Sequence, residues 1–170
     1  MRLAAAVGAV SLLATATLAA CGADPALDRR ETIETTGAIC GDATRQARLF
    51  AIKNAPASSP AAISRAIEED VRIARQVERR LTKLELADDA RRGFDPLVAA
   101  QRRIVKANTD QLAASRAGDP ARFRASVDAL LAATRESKRA ADSYGLEGCP
   151  YLPVSVQLER RSARQARREG

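Results

Sequence analysis

The 170-residue chain has no histidine and no tryptophan, and its aromatic complement is three Phe and two Tyr. Without histidine it lacks the commonest general base and the commonest metal ligand. It also has no glycine-rich phosphate loop and no Gly-x-Ser-x-Gly nucleophile elbow. No catalytic residue, metal site or cofactor is therefore expected, and no enzymatic activity. Lysine is scarce as well, at Lys53, Lys83, Lys106 and Lys138, so arginine carries most of the positive charge. With so few aromatics, the core has to be built from Ala, Leu, Ile and Val.

What is present begins at the amino terminus. Met1-Arg2 is followed by an uncharged stretch of small and apolar residues, Leu3 to Ala20, which ends in Leu18-Ala19-Ala20-Cys21. A positive start, an apolar stretch and a small-residue cleavage site make up a secretory signal peptide. Leu18-Ala19-Ala20-Cys21 resembles the lipobox of bacterial lipoproteins. That resemblance implies cleavage before Cys21 and diacylglyceryl attachment to its thiol, leaving an extracytoplasmic protein held on the cell membrane. Two acyl chains anchor stably where one is marginal. Residues 1–20 are thus expected to be removed, and 21–30, with its Gly, Pro, Ala and Asp, to tether the anchor to a domain over 31–150. The net charge is +7, or +6 once Arg2 is gone. A basic surface favours anionic partners such as lipid headgroups or envelope polymers.

Apolar residues recur at helical spacing from residue 31 to residue 144, and no strand pattern stands out. Helix A is expected over 31–53, with Ile33, Gly37, Cys40, Thr44, Ala47 and Phe50 or Ala51 on its inner line. Gly37 and Gly41 leave open a start as late as Asp42. Helix B, over 60–85, turns Ile63, Ile67, Val71, Ala74, Val77, Leu81 and Leu84 inward, with Glu68 and Arg72 paired outside. Helix C, over 88–116, carries Phe94, Leu97, Val98, Ile104, Val105 and Leu112. Pro96 either kinks it or opens it after an Asp95 cap, leaving 87–93 as a separate turn. Gly118-Asp119-Pro120 ends one helix and caps the next. Helix D carries Phe123, Val127, Leu130, Leu131, Thr134, Ala141 and Tyr144, and closes on Gly145 with Leu146 folded back.

Four amphipathic helices with short breaks predict an all-α, antiparallel up-down-up-down four-helix bundle. Three helices and an arm is the arrangement if helix A starts late. Ala38-Ile39-Cys40 on the first helix, and Tyr144-Gly145-Leu146 with Cys149 after the last, resemble small uncharacterised secreted proteins and lipoproteins of actinobacterial type. In those, two cysteines bracket a helical bundle. The resemblance implies a fold and a location and brings no activity with it.

Once Cys21 is acylated, Cys40 and Cys149 form an even pair in an oxidising compartment, and a disulfide that closes the bundle is expected. The carboxylates Glu68-Glu69-Asp70 and Asp88-Asp89 point in different directions on a helix and are expected as solvated surface and cap chemistry. Gln101 and Asn108, seven apart on helix C, lie beside its apolar stripe; they are the candidate ligand-facing polar residues, with a satisfied polar pair as the plainer reading. Residues 151–170 form a basic tail that is expected to be disordered and, with no stacking aromatics nearby, not to bind nucleic acid. The function expected is a non-enzymatic interaction or structural module of the cell envelope, contacting another envelope protein or an anionic polymer. The alternative is a protein that binds a small ligand at an apolar site between the helices.

Overall fold

The structure, a computed structural model, describes residues 26–54 and 59–146. These form helices α1 (Arg29–Lys53), α2 (Pro60–Thr82), α3 (Asp88–Arg91), α4 (Asp95–Ala117) and α5 (Pro120–Tyr144). Cross-helix ion pairs join α1 to α2 (Asp42–Arg80), α2 to α4 (Glu68–Arg116) and α4 to α5 (Arg103–Glu136), and the all-α, helical-bundle character read from the sequence is borne out. Closure of the bundle by a disulfide is not described, because Cys149 lies outside the described residues.

Each start and stop has a local cause. Asp28 accepts a hydrogen bond from the Glu31 N–H at 2.8 Å, and the Glu31 carboxylate accepts from the Asp28 N–H at 3.0 Å. This reciprocal capping box starts α1 at Arg29, earlier than the apolar pattern suggested. Just before it, Leu27 pairs with the α2–α3 connection: its N–H donates to the Glu85 carbonyl, and its own carbonyl accepts from Ala87. The domain therefore takes in residues that composition placed in the tether, and helix A does not start late at Asp42.

Pro96 splits the third segment rather than kinking it. α3 is a single turn, Gly93 reverses the chain at φ +89°, and Pro96 sits in the first turn of α4. The residue at the cap position is Phe94, which is buried, and not Asp95. Asp119 caps α5 by accepting from the N–H groups of Ala121 and Arg122. Gly145 ends α5 at φ +94°, and the Leu146 N–H closes back on the Ala141 carbonyl at 2.9 Å.

Packing follows side-chain size. α4 and α5 make the most extensive pairing. Ala100, Ala107 and Ala114 recur every seventh residue on α4, and α5 answers with Ser126, Ala133, Ser137 and Ala141, all buried. Small residues let two helix backbones approach closely. The inner line of α1 is rotated from the expected one. Thr32, Thr36, Ile39, Ala43, Ala47 and Ala51 are buried beside Cys40, whereas Gly37 and Thr44 are exposed. Ile63 and Leu131, expected inside, are 40% and 43% exposed. Arg72 pairs with Glu69 at 2.6 Å instead of Glu68, which reaches across to Arg116 of α4.

Candidate functional site

Two layers fill the interior. At the end where α1 begins and α5 finishes, the core is apolar: Leu86, Ala90, Phe94, Leu97, Val77, Leu81, Ile39 and Tyr144 pack together. Tyr144 holds this layer in register. Its hydroxyl donates to the Ala90 carbonyl, its ring meets Phe94 edge-on at 5.4 Å, and the Arg29 guanidinium lies 5.1 Å above it. Burial pushes the Tyr144 phenol above its ordinary pKa, against the opposing pull of a hydrogen bond to Thr32 and the Arg29 charge.

Toward the opposite end, polar side chains enter the interior beside a second apolar cluster of Ala74, Ile104, Ala107, Leu130 and Ala133. Gln101, Asn108 and Gln111 of α4 and Ser126 of α5 are all buried, and Asp70 of α2 is fully so. The solvated reading of Asp70 is thus corrected: Glu68 and Glu69 face outward, but Asp70 shares its side of α2 with Ile73, Ala74 and Val77. The spacing of the run, rather than its charge, decides this, because one residue in three on a helix turns inward.

The structure separates the two candidate ligand-facing residues. The Gln101 amide donates to the Ala74 carbonyl of α2 at 3.0 Å and acts as a cross-link between helices. Asn108 has neither amide atom paired, and the Gln111 carbonyl oxygen and the Thr36 hydroxyl are likewise buried without a hydrogen bond. Gln111 and Thr36 were not anticipated. Both interrupt apolar lines at inward positions, and that interruption was the available signal.

Room for an apolar ligand is scant in the layer between Leu97 and Gln101. The gap lined there by Cys40, Ala43, Val77, Leu81, Leu97, Gln101 and Ser137 holds about 10 Å³, the space of a single water. Among the described residues, no group of three or more Cys, Asp or Glu side chains is placed to hold a metal ion. No helix among them is long and apolar enough to cross a membrane.

The exterior is ionic. Arg80 pairs with Asp42 at 2.9 Å and holds that carboxyl below its usual range, helped by Arg45. Arg103 pairs with Glu136 across α4 and α5, and the Lys106–Asp110 and Lys138–Asp142 pairs lie along single helices. Of the remaining candidates, Cys40 lies on α1 and is 4% exposed. Cys21 and Cys149 lie outside the described residues, as does the basic tail 151–170. Comparison with protein-family models, curated proteins and solved structures finds no match to this chain.

Proposed function

We propose that the protein is a lipid-anchored, extracytoplasmic helical bundle that works by contact rather than by chemistry, presenting the membrane-distal end of its helices to another component of the cell envelope. The observation that carries this reading is the placement of exposed apolar side chains relative to the start of α1. α1 starts eight residues after Cys21 and rises about 36 Å. At its far end Leu49 and Ile52, one turn apart, are 55% and 49% exposed, and Ile63 at the start of α2 is 40% exposed. These apolar side chains thus lie at the end of α1 remote from Arg29, where a chain anchored at Cys21 would enter the helix. A lipidated protein reaching away from a bilayer would need that arrangement.

A Cys40–Cys149 disulfide belongs to the same reading. Gly145 lies against Ile33, since a Cβ built on the glycine would sit 3.6 Å from Ile33 Cδ1. From Ile33 to Cys40 is seven residues of helix, about 10 Å. From Leu146 to Cys149 is three residues, about 10 Å when extended. The two thiols can reach the same level beside α1.

The experiment is in-cell photocrosslinking of the anchored protein with the probe at Leu49 or Ile52, and with the probe at Arg135 on the outer side of α5 as control. One defined envelope partner captured from the tip and not from the control supports the proposal. Equal, diffuse capture from both positions counts against it. Cys21→Ser is expected to move the protein out of the membrane fraction, and unchanged fractionation overturns the anchor.

A further inference from the structure

The outer face of α2 carries a line of positive charge that the fold leaves largely unneutralised. Arg65, Arg72, Arg75, Arg79 and the C-cap residue Lys83 are all exposed. At about 100° per residue, Arg65, Arg72, Arg79 and Lys83 fall within about 40° of one another, and Arg75 within about 80°. From Arg65 to Lys83 the line runs about 27 Å. Two carboxylates share this face, and both are held: Glu68 by Arg116 of α4 at 2.5 Å, and Glu69 by Arg72 at 2.6 Å. Glu78 turns toward α4, where it meets Arg102 at 3.6 Å, and Asp42 of α1 takes Arg80. Among the described residues, no carboxylate pairs with Arg65, Arg75, Arg79 or Lys83.

The helix does not need this arrangement for its own stability. The macrodipole favours Arg79 and Lys83 near the C-terminus, but it offers nothing to Arg65, Arg72 or Arg75 further back. Arg75 with Arg79, and Arg79 with Lys83, are like charges four residues apart, a spacing that destabilises a helix. On α5 such a line is broken up, because Asp128 and the exposed Leu131 stand between Arg124 and Arg135. On α2 no large apolar side chain is exposed near the line: Ile63, 40% exposed, lies about 160° around the helix from Arg65.

We infer that the outer face of α2 is a docking stripe for an extended phosphate-bearing polymer, which lies along the helix axis and supplies the counter-charges that the fold omits. Shape and composition favour a linear partner over a bilayer. The line is narrow and runs along a convex helix, and a helix adsorbed on lipid would set apolar side chains against the acyl boundary. Axial steps of about 4.5–6 Å, from Arg72 through Arg75 and Arg79 to Lys83, suit a polymer charged at every short repeat. The unpaired cations are mostly arginine, whose planar fork takes two phosphate oxygens at once. A phosphodiester carries its charge in the chain itself, so docking it orders no side chains on the polymer. An acidic peptide would have to immobilise each Glu or Asp as well. The inference concerns the flank of the bundle and rests neither on the lipid anchor nor on the apolar tip.

The test is titration of the mature chain with linear inorganic polyphosphate over a range of salt. Arg65→Gln, Arg75→Gln, Arg79→Gln and Lys83→Gln combined are expected to weaken binding by about tenfold or more. The log–log salt slope should become shallower by about three, the counterion release of four contacts on a flexible phosphate chain. Arg122→Gln, Arg124→Gln, Arg135→Gln and Arg139→Gln combined remove the same charge from α5 and are expected to weaken binding by less than about threefold. No saturable binding, or equal losses in the two variants, overturns the stripe. Poly-glutamate of the same length binding as tightly overturns the phosphate assignment. Vesicles of anionic phospholipid binding as tightly per phosphate, with the same loss in the α2 variant, make the face a membrane contact and equally overturn it. Should the α2 variant not fold, amide chemical shifts of the unmodified protein decide. Shifts along α2 on adding polyphosphate support the stripe, and shifts confined to other segments overturn it.

Discussion

The Tyr144 hydroxyl, on the final residue of α5, donates at 2.7 Å to the carbonyl of Ala90 in the single turn of α3. The bond is buried and joins residues 54 apart in the chain. It ties the end of the last helix to the crossover between α2 and α4. Tyr144→Phe keeps the ring contact with Phe94 and removes only this bond, leaving a buried carbonyl without its side-chain partner. The expected loss is about 1–3 kcal/mol, read from the midpoint of urea unfolding at unchanged slope. A neutral result would show that water replaces the hydroxyl.

The same phenol sets an alkaline limit. Its pKa is raised in the fold, chiefly by burial, so the native state holds the proton longer than the unfolded chain does. Its contribution is complete below the unfolded tyrosine value of about 10 and is lost as pH rises through the higher native one. Stability measured across the alkaline range is expected to fall there. Tyr144→Phe is expected to flatten that part of the curve. An identical alkaline profile in both proteins would assign the loss to other groups.

Gln101 predicts a graded response. Its amide bonds the Ala74 carbonyl across α2 and α4, and its side chain is 4% exposed. Gln101→Leu keeps the volume and loses one neutral hydrogen bond, so about 0.5–1.5 kcal/mol is expected. Gln101→Glu places an acceptor where a donor is needed and buries a charge, so more than about 3 kcal/mol is expected at neutral pH. Its deficit should shrink as the pH falls and the carboxyl protonates. Equal costs for the two variants would mean that the position is wetter than its burial indicates.

Helix number, order and caps were legible because they depend on local chemistry. Asp119-Pro120, Gly145 with Leu146, and the break before Pro96 each act within a few residues. The capping box of Asp28 and Glu31 is equally local; it was hidden because a Pro- and Asp-containing stretch reads as tether. Facing was harder. On α1 and α5 the buried stripe is rich in Thr, Ser and Ala, which hydropathy barely separates from exposed positions, so Leu131 drew the expected stripe of α5 toward itself. The fate of Asn108 and Gln101 was not legible at all. The two lie seven apart on one face and differ in that α2 brings the Ala74 carbonyl opposite Gln101 and no partner opposite Asn108, which is tertiary information.

The disulfide can be tested by its consequence for the whole fold. Cys40 sits at 4% exposure two turns above the contact between Ile33 and Gly145, among Val77, Leu97 and Ser137. A bond to Cys149 closes a loop with 108 intervening residues. Restricting the unfolded chain to that extent contributes on the order of 4 to 5 kcal/mol, less any strain. A small domain has about 5–15 kcal/mol in total, so the bond would supply a large share of it. The need is physical: two tyrosines and three phenylalanines are the entire aromatic complement, and α1 and α5 make no extensive pairing. The bond would also tie the chain beyond α5 to α1, so that reduction should loosen α1 before the α4–α5 pair. The measurement is thermal unfolding and amide exchange of the mature chain with and without reductant, alongside non-reducing peptide mapping. A linked peptide containing Cys40 and Cys149, a melting temperature lowered by about ten degrees or more on reduction, and faster exchange confined first to α1 are the expected results. Two free thiols in the native protein, or equal stability in both conditions, would remove the covalent closure and leave α1 held by packing alone.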